Sequence, residues 1–105
     1  MKTVRRRYLA LQVDSAESFS SSELMTAIWD AVMKLYGEYG ASQAGLSLIS
    51  YDLQEKFAVT RVGHKAVDQV RASLALITSI GGRPAAVHVL RVSGTIKALR
   101  KKTRL

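Results

Sequence analysis

Cysteine is absent from this chain of 105 residues. Its absence excludes disulfides, thiolate metal sites and cysteine nucleophiles, and it fits a protein that never needs an oxidising compartment. Long apolar runs are also absent, because no stretch approaches the roughly 18 to 20 apolar residues of a membrane span. The basic N-terminus does not continue into the apolar block of a secretory signal. We therefore expect a cytoplasmic protein with no membrane partner.

Acidic residues are few: eight Asp and Glu stand against sixteen Lys and Arg, which gives a formal net charge of +8. The cations concentrate in two terminal clusters that contain no acid: Lys2, Arg5, Arg6 and Arg7, then Lys97, Arg100, Lys101, Lys102 and Arg104. Such an excess is informative about partners rather than about fold. It favours a polyanion such as RNA, whose phosphates release counterions when Lys and Arg neutralise them. The alternative is solvated charge that keeps a small protein soluble.

Apolar periodicity predicts the order β-α-β-β-α-β, followed by a short helix. The first strand is predicted over residues 4–13, a hairpin over 43–62, the second helix over 65–80, the last strand over 85–92 and the closing helix over 94–102. No internal repeat or linker appears, so residues 1–105 are expected to form one domain.

The first helix carries the clearest local signals. Ser20 is the expected N-cap, and Glu23 completes a capping box. Its expected core stripe is Leu24, Ile28, Val32, Leu35 and Tyr39. Gly37 and Gly40 are expected to end this helix, and Gly81 and Gly82 the second one.

This order predicts an α+β fold of the ferredoxin-like type, with two main helices on one face of a four-stranded antiparallel sheet. RNA recognition motifs share that architecture. In such a sheet the first and last strands are neighbours, so the two basic ends could form one patch. The third strand, KFAVTRV, lacks the aromatic pattern with which RNA recognition motifs stack bases. We therefore expect recognition of the backbone and shape of a structured RNA.

Catalytic and metal-binding patterns are missing from the sequence. His64 and His88 have no metal-ligand spacing, and the serines cluster where helix capping explains them. His88 is expected on a sheet face, whereas His64 either caps the second helix or contacts a phosphate. Gly94 stands where a strand turns into a basic helix, so its surroundings are either a phosphate contact or a plain cap by Ser93 or Thr95. We expect no catalytic residue, no metal and no cofactor held by this chain.

Four segments follow a known pattern: RRRYLALQV, ELMTAIWDAVMKLYGEYG, HKAVDQVRASLALITSIGG and, most specifically, VLRVSGTIKAL. Together they resemble the archaeal ribonuclease P protein component 2 family, relatives of a eukaryotic subunit shared by ribonuclease P and the mitochondrial RNA processing enzyme. The resemblance spans nearly the whole chain. It implies a protein subunit of the enzyme that removes the 5′ leader from precursor tRNA, in which the RNA subunit carries out hydrolysis with Mg²⁺.

The resemblance also implies partners. They are the ribonuclease P RNA, the other ribonuclease P proteins and, indirectly, precursor tRNA. Among the proteins is component 3, a TIM-barrel subunit with which family members commonly form a two-plus-two heterotetramer.

Family positions and the basic ends together give the expected RNA-binding residues: Arg5, Arg6, Arg7, Arg61, His64, Lys65, Ser93, Gly94, Thr95, Lys97, Arg100, Lys101, Lys102 and Arg104. Gly63 departs from the family, which often has a small polar residue or cysteine there. Two other functions stay open on the sequence: a free-standing module that binds structured RNA, for example on the ribosome, and a ligand-binding regulatory domain. The second leaves the charge of +8 unexplained.

Overall fold

The computed structural model describes residues 5–95 of the chain. The elements in this part are β1 (Arg6–Asp14), α1 (Ser21–Gln43), β2 (Ser47–Asp52), β3 (Phe57–Gly63), α2 (Val67–Ala75), β4 (Ser79–Ile80), β5 (Arg83–Pro84) and β6 (Ala86–Ser93). A 3-10 turn, His64–Ala66, precedes α2. The predicted closing helix lies outside the described residues except for Gly94 and Thr95. None of the described helices is long and apolar enough to cross a membrane.

Four strands form one sheet in the order β2-β3-β1-β6. Every neighbouring pair is antiparallel, and the first strand lies beside both β3 and the last strand, β6. The helices contribute their buried residues to the core on one side of this sheet. The prediction of a ferredoxin-like sheet with adjacent first and last strands is therefore confirmed.

Alternation along β1 separates the two faces of the sheet. Leu9, Leu11 and Val13 are at most 2% exposed and join the main core with the helices. We call the opposite side the open face; its central residues are Tyr8, Ala10 and Gln12 on β1, Arg61, Val59 and Phe57 on β3, and Ser93, Arg91 and His88 on β6. A second, smaller apolar cluster made only of strand residues lies there around Ala10 and Val59.

Helix α1 begins as predicted. The Ser20 hydroxyl accepts the N–H of Glu23 at 3.1 Å, and the Glu23 carboxylate accepts the N–H of Ser20 at 3.0 Å. This capping box satisfies two of the N–H groups that have no partner at a helix start. Leu24, Ile28 and Val32 are buried in the core as expected.

The second half of α1 differs from the prediction, because Gly37 and Gly40 do not end the helix. Gly37 has φ 78° and ψ 174°, which kinks the chain, and helical structure resumes as far as Gln43. Leu35 and Tyr39 were expected in the core but are 43% and 78% exposed. After Val32 the next buried residue of α1 is Ala41, beyond the kink at Gly37, and the kink breaks the periodicity on which the stripe depended.

Helix α2 is shorter than predicted, since it ends at Ala75 rather than near residue 80. Gly81 and Gly82 do not stop a helix but form the two-residue turn between β4 and β5, where Ile80 pairs with Arg83. Their φ values of 57° and 80° are those that a type I′ hairpin turn requires. Ile77 continued the helical spacing in the sequence, and that spacing hid the hairpin.

Candidate nucleic-acid interface

The strand register brings the predicted basic opening against the junction between β3 and α2. Arg6 is opposite Gly63, and the backbone oxygen of Arg5 accepts the N–H of His64 at 2.9 Å. His64 and Lys65 lie exposed in the 3-10 turn that begins there. Two groups of predicted RNA-binding residues that are more than fifty positions apart in sequence are thus neighbours at one end of the sheet.

The closing segment reaches the same end of the sheet. Ser93 and Arg61 flank Tyr8 from opposite sides in the register. A Cβ added to Gly94 would lie 3.8 Å from a guanidinium nitrogen of Arg7. The structure therefore brings together the described part of all three predicted groups. Lys97, Arg100, Lys101, Lys102 and Arg104 lie outside the described residues, and their part in the interface stays a prediction.

The histidine and hydroxyl positions also have a clear local geometry. Ala66 is the N-cap of α2 and Gly63 that of the 3-10 turn, and no side chain caps either of them. The expectation that His64 caps the second helix is therefore wrong. The Ser93 hydroxyl accepts the N–H of Thr95 at 3.3 Å, which is the local turn that such a hydroxyl favours. His88 lies on the open face as expected, with its Nε2 3.7 Å from an oxygen of Asp14.

One arginine of the chain has a structural role away from this interface. The Arg83 guanidinium contacts the Glu23 carboxylate at 2.6 Å, donates to the Ser18 carbonyl at 3.0 Å and lies 4.6 Å from the centre of the Phe19 ring. The hydrogen bond from the Ser20 N–H and then the contact with Arg83 lower the pKa of Glu23. These contacts hold the β4–β5 hairpin to the start of α1.

The arginines of the candidate interface differ from Arg83 in their ion pairs. Among the described residues, the ion pairs within 4.0 Å are Arg83 with Glu23 and His88 with Asp14, so none involves Arg5, Arg6, Arg7 or Arg61. Their positive charge is not offset by a contacting carboxylate. Such a group of charges suits contact with phosphates, which neutralise it.

An open cleft of about 520 Å³ lies elsewhere, between α1 and the β4–β5 hairpin. Glu23, Asp30, Lys34 and Leu76 are among its lining residues, and none of the predicted RNA-binding residues lines it. The cleft is therefore separate from the candidate interface.

Metal-binding side chains do not cluster in the described part of the chain. In residues 5–95 no group of three or more His, Asp or Glu side chains is placed to hold a metal ion.

Two residues of this end of the sheet, Tyr8 and Arg91, were not among the predicted RNA-binding residues, although Tyr8 matches the basic opening of the family. Tyr8 lies between Arg61 and Ser93, and Arg91 is opposite Ala10 on the same face. The third strand lacks the pattern of stacking aromatics, whereas Tyr8 is on the first strand. Its place in the alternating run of β1 was the available signal.

The chain matches a family model described as the Rpp14/Pop5 family over residues 7–104. It belongs to the Rpp14/Pop5 family. Among its relatives, ribonuclease P protein component 2 of Pyrococcus furiosus is 38% identical over 98 residues, which cover 93% of this chain and 82% of the relative. The corresponding protein of Pyrococcus abyssi is 35% identical and covers 93% of this chain and 83% of the relative. The predicted family resemblance is confirmed.

A solved structure supports the fold of this Rpp14/Pop5 chain. A chain of the yeast ribonuclease MRP, determined by cryo-electron microscopy, superposes with a TM-score of 0.73 at 24% sequence identity. The match covers 90% of the present chain and 79% of the yeast chain. At this identity the likeness concerns the fold, and it agrees with the α+β architecture described above.

Proposed function

We propose that the chain is a protein subunit of ribonuclease P that binds the RNA subunit and leaves hydrolysis of precursor tRNA to that RNA. Membership of the Rpp14/Pop5 family and the names of the component 2 relatives support the assignment. The observation that carries it is the convergence of Arg6, Arg61 and Ser93 at one end of the sheet, in a chain of charge +8.

The physical role of the chain is to neutralise RNA phosphates and hold the RNA fold in place. Arginine donates in a planar fork that matches two phosphate oxygens. A cluster of arginines that make no ion pair with the described acids can therefore bind the RNA backbone without requiring a sequence. Mg²⁺ belongs to the RNA active site in this proposal, and the protein holds no cofactor. The protein works in the cytoplasm with the other ribonuclease P proteins and contacts precursor tRNA indirectly.

Component 3 is the proposed protein partner, in a two-plus-two assembly. An apolar surface that supports such a contact lies on α1 around the kink; we call it the α1 surface, and it consists of Met33, Leu35, Tyr36 and Tyr39. Their side chains are 42%, 43%, 38% and 78% exposed. Four large apolar side chains within seven residues exceed the scattered exposure that is normal for a monomer, and they indicate a protein contact.

Reconstitution with the ribonuclease P RNA and the other protein subunits tests the function through removal of the precursor tRNA leader. Replacing Arg100, Lys101 and Lys102 together with Ala should lower the rate of processing. It should also flatten the dependence of RNA binding on salt, because each lost phosphate contact removes about 0.7 to 0.9 from the slope of log affinity against log salt.

The control replaces Lys34 with Ala, which removes an exposed cation from α1. It should leave processing and the salt slope close to those of the wild type. If the complete chain does not stimulate leader removal under any condition, the proposed function is wrong. If the chain stimulates processing but the triple substitution has no effect, the role of the C-terminal cations alone is wrong.

A further inference from the structure

The basic half of the open face, where Arg6, Arg61 and Ser93 converge, also holds the aromatic ring of Tyr8, which contacts to phosphates alone do not require. One row crosses all four strands of the sheet: Ser47, Arg61, Tyr8 and Ser93. Arg6 lies two residues before Tyr8 on the same face, and Arg91 is opposite Ala10, two residues after it. Neighbouring strands are about 4.8 Å apart. Three arginines, two hydroxyls and one aromatic ring therefore share a small area.

Arg61 is the arginine at the centre of this area, and nothing in the described chain holds it. Its Nε is buried and has no acceptor among the described residues. A buried donor left without an acceptor is unfavourable, so a rotation that gives the guanidinium an acceptor is favoured. Arg83, in contrast, is fixed by a carboxylate, a carbonyl and a ring. Within residues 5–95, Arg61 is thus a cation without a partner.

The open face also has a charge gradient along the strands. Among its described strand residues, the acids are Asp14 and Asp52, and both lie at the end away from Arg6. The row of Asp52 contains Gln12, four residues along β1 from Tyr8, which is about 13 Å. That distance exceeds the screening length of about 8 Å at physiological salt. The field near Arg61 is therefore set by cations.

Tyr8 supplies an aromatic ring, which a nucleotide-binding site uses together with a cation such as Arg61. It packs partly buried against Ala10 and Val59, so its ring has an apolar support beneath it. The ring is next to Arg61 on one side and Ser93 on the other. A supported ring beside a free guanidinium can stack one base while the guanidinium binds the adjoining phosphate. A duplex does not offer an unstacked base to such a site.

We propose that the basic half of the open face is a subsite for an unpaired nucleotide of single-stranded RNA, in which the Tyr8 ring stacks the base and Arg61 binds the phosphate. The inference rests on the proposed function and deepens it, because it adds an unpaired segment to the backbone contacts of a structured RNA. Arg6 and Arg91 extend the phosphate path along the same face, in either direction from Tyr8. Ser47 and Ser93 offer hydroxyls to the ribose or base.

The test is fluorescence anisotropy of the full chain with labelled polyuridine of about eight nucleotides and with a blunt RNA duplex of about 16 base pairs. Tyr8→Leu should weaken binding of the single strand roughly 5- to 100-fold and leave the duplex nearly unchanged, because only the single strand stacks. Tyr8→Phe keeps the ring and should bind as the wild type does. Arg61→Gln should reduce the salt slope for the single strand by about 0.7.

Lys34→Gln is the matched control for charge, since it removes one cation from the helical layer. It should not change the salt slope, and thermal unfolding checks that each variant is folded. Equal affinity of Tyr8→Leu and wild type for the single strand would overturn the subsite, as would an equal loss on the duplex. Loss of protein partner binding with unchanged RNA binding would make the face a protein surface and overturn it as well. If the wild-type chain stimulates leader removal in the reconstituted enzyme and one of these results is obtained, the subsite is wrong and the proposed function stands. If the wild-type chain does not stimulate leader removal, the proposed function itself is wrong.

Discussion

Arginine side chains have two kinds of surroundings in this protein. Arg83 is held by Glu23, the Ser18 carbonyl and the Phe19 ring, and it joins the β4–β5 hairpin to α1. Arg61 has no such contact among the described residues, although it lies in the middle of the sheet. Composition alone gives both residues the same charge. Their partners show which arginine stabilises the fold and which is available for a ligand.

Glu23→Gln tests the structural role of the first kind of site. The Ser20 N–H and Arg83 lower the pKa of Glu23 from its usual value of 4.5, so the charged carboxylate is favoured in the folded state. Its contribution to stability is therefore present above pH 4.5 and is lost as the pH falls through the lowered value. We expect Glu23→Gln to lower the Tm at pH 7, and the difference in Tm from the wild type to shrink as the pH falls below 4.5 through the lowered pKa.

Gln keeps the capping geometry at this position, so the substitution isolates the charge. The measurement is calorimetry across this pH range. Glu38→Gln, at an exposed position on the same helix, is the control and should leave the Tm unchanged. A difference between Glu23→Gln and wild type that is as large at low pH as at neutral pH would contradict the assigned cause.

The elements were predictable where sequence signals are local. The capping box at Ser20, the alternation of β1 and the turn between β2 and β3 appear in the sequence and in the structure. The predictions were wrong where one sequence pattern is compatible with two structures. Glycine pairs mark both helix ends and type I′ turns, and only the register of β4 with β5 shows which applies. Apolar spacing also continues through the kink of α1, where Leu35 and Tyr39 are exposed and the next buried residue after Val32 is Ala41.

Gly37→Ala tests the kink of α1. Its φ of 78° with ψ of 174° is a conformation that essentially only glycine adopts, and an added Cβ would meet no atom within 4 Å. The loss of folding free energy in Gly37→Ala therefore comes from the backbone conformation alone. We expect Gly37→Ala to lower the free energy of unfolding by about 1 to 3 kcal/mol in urea titrations.

Gly63→Ala is the matched control for that substitution. Gly63 has φ −62°, and an added Cβ would lie 3.5 Å from the Ala44 oxygen, an ordinary contact. The change should be neutral or stabilise the fold by about 0.4 to 1 kcal/mol, because Ala restricts the unfolded chain. Equal destabilisation by the two substitutions would show that the backbone at Gly37 is not the cause.

At the scale of the whole molecule, the order of strands could be predicted but the composition of the interface only in part. A ferredoxin-like order implies that β1 and β6 are neighbours, which brought Arg6, Arg7 and Ser93 to one end of the sheet. The pairing of Tyr8 with Arg61 depends on register, which the sequence does not specify to one residue. That Tyr8, Arg61 and Ser93 lie in one row across the strands could therefore be seen only in the structure.

The α1 surface provides the last prediction, because it lies on the helical layer while the candidate RNA interface lies at the end of the sheet. Leu35→Ser with Tyr39→Ser should weaken binding of component 3 by roughly 30-fold or more, as loss of central apolar contacts does. Leu53→Ser is the control, since Leu53 is 52% exposed in the turn after β2. Light scattering after gel filtration of the mixed subunits measures the complex. Intact RNA binding by the double variant would show that the two surfaces act separately, whereas unchanged complex formation would exclude the α1 surface as the contact.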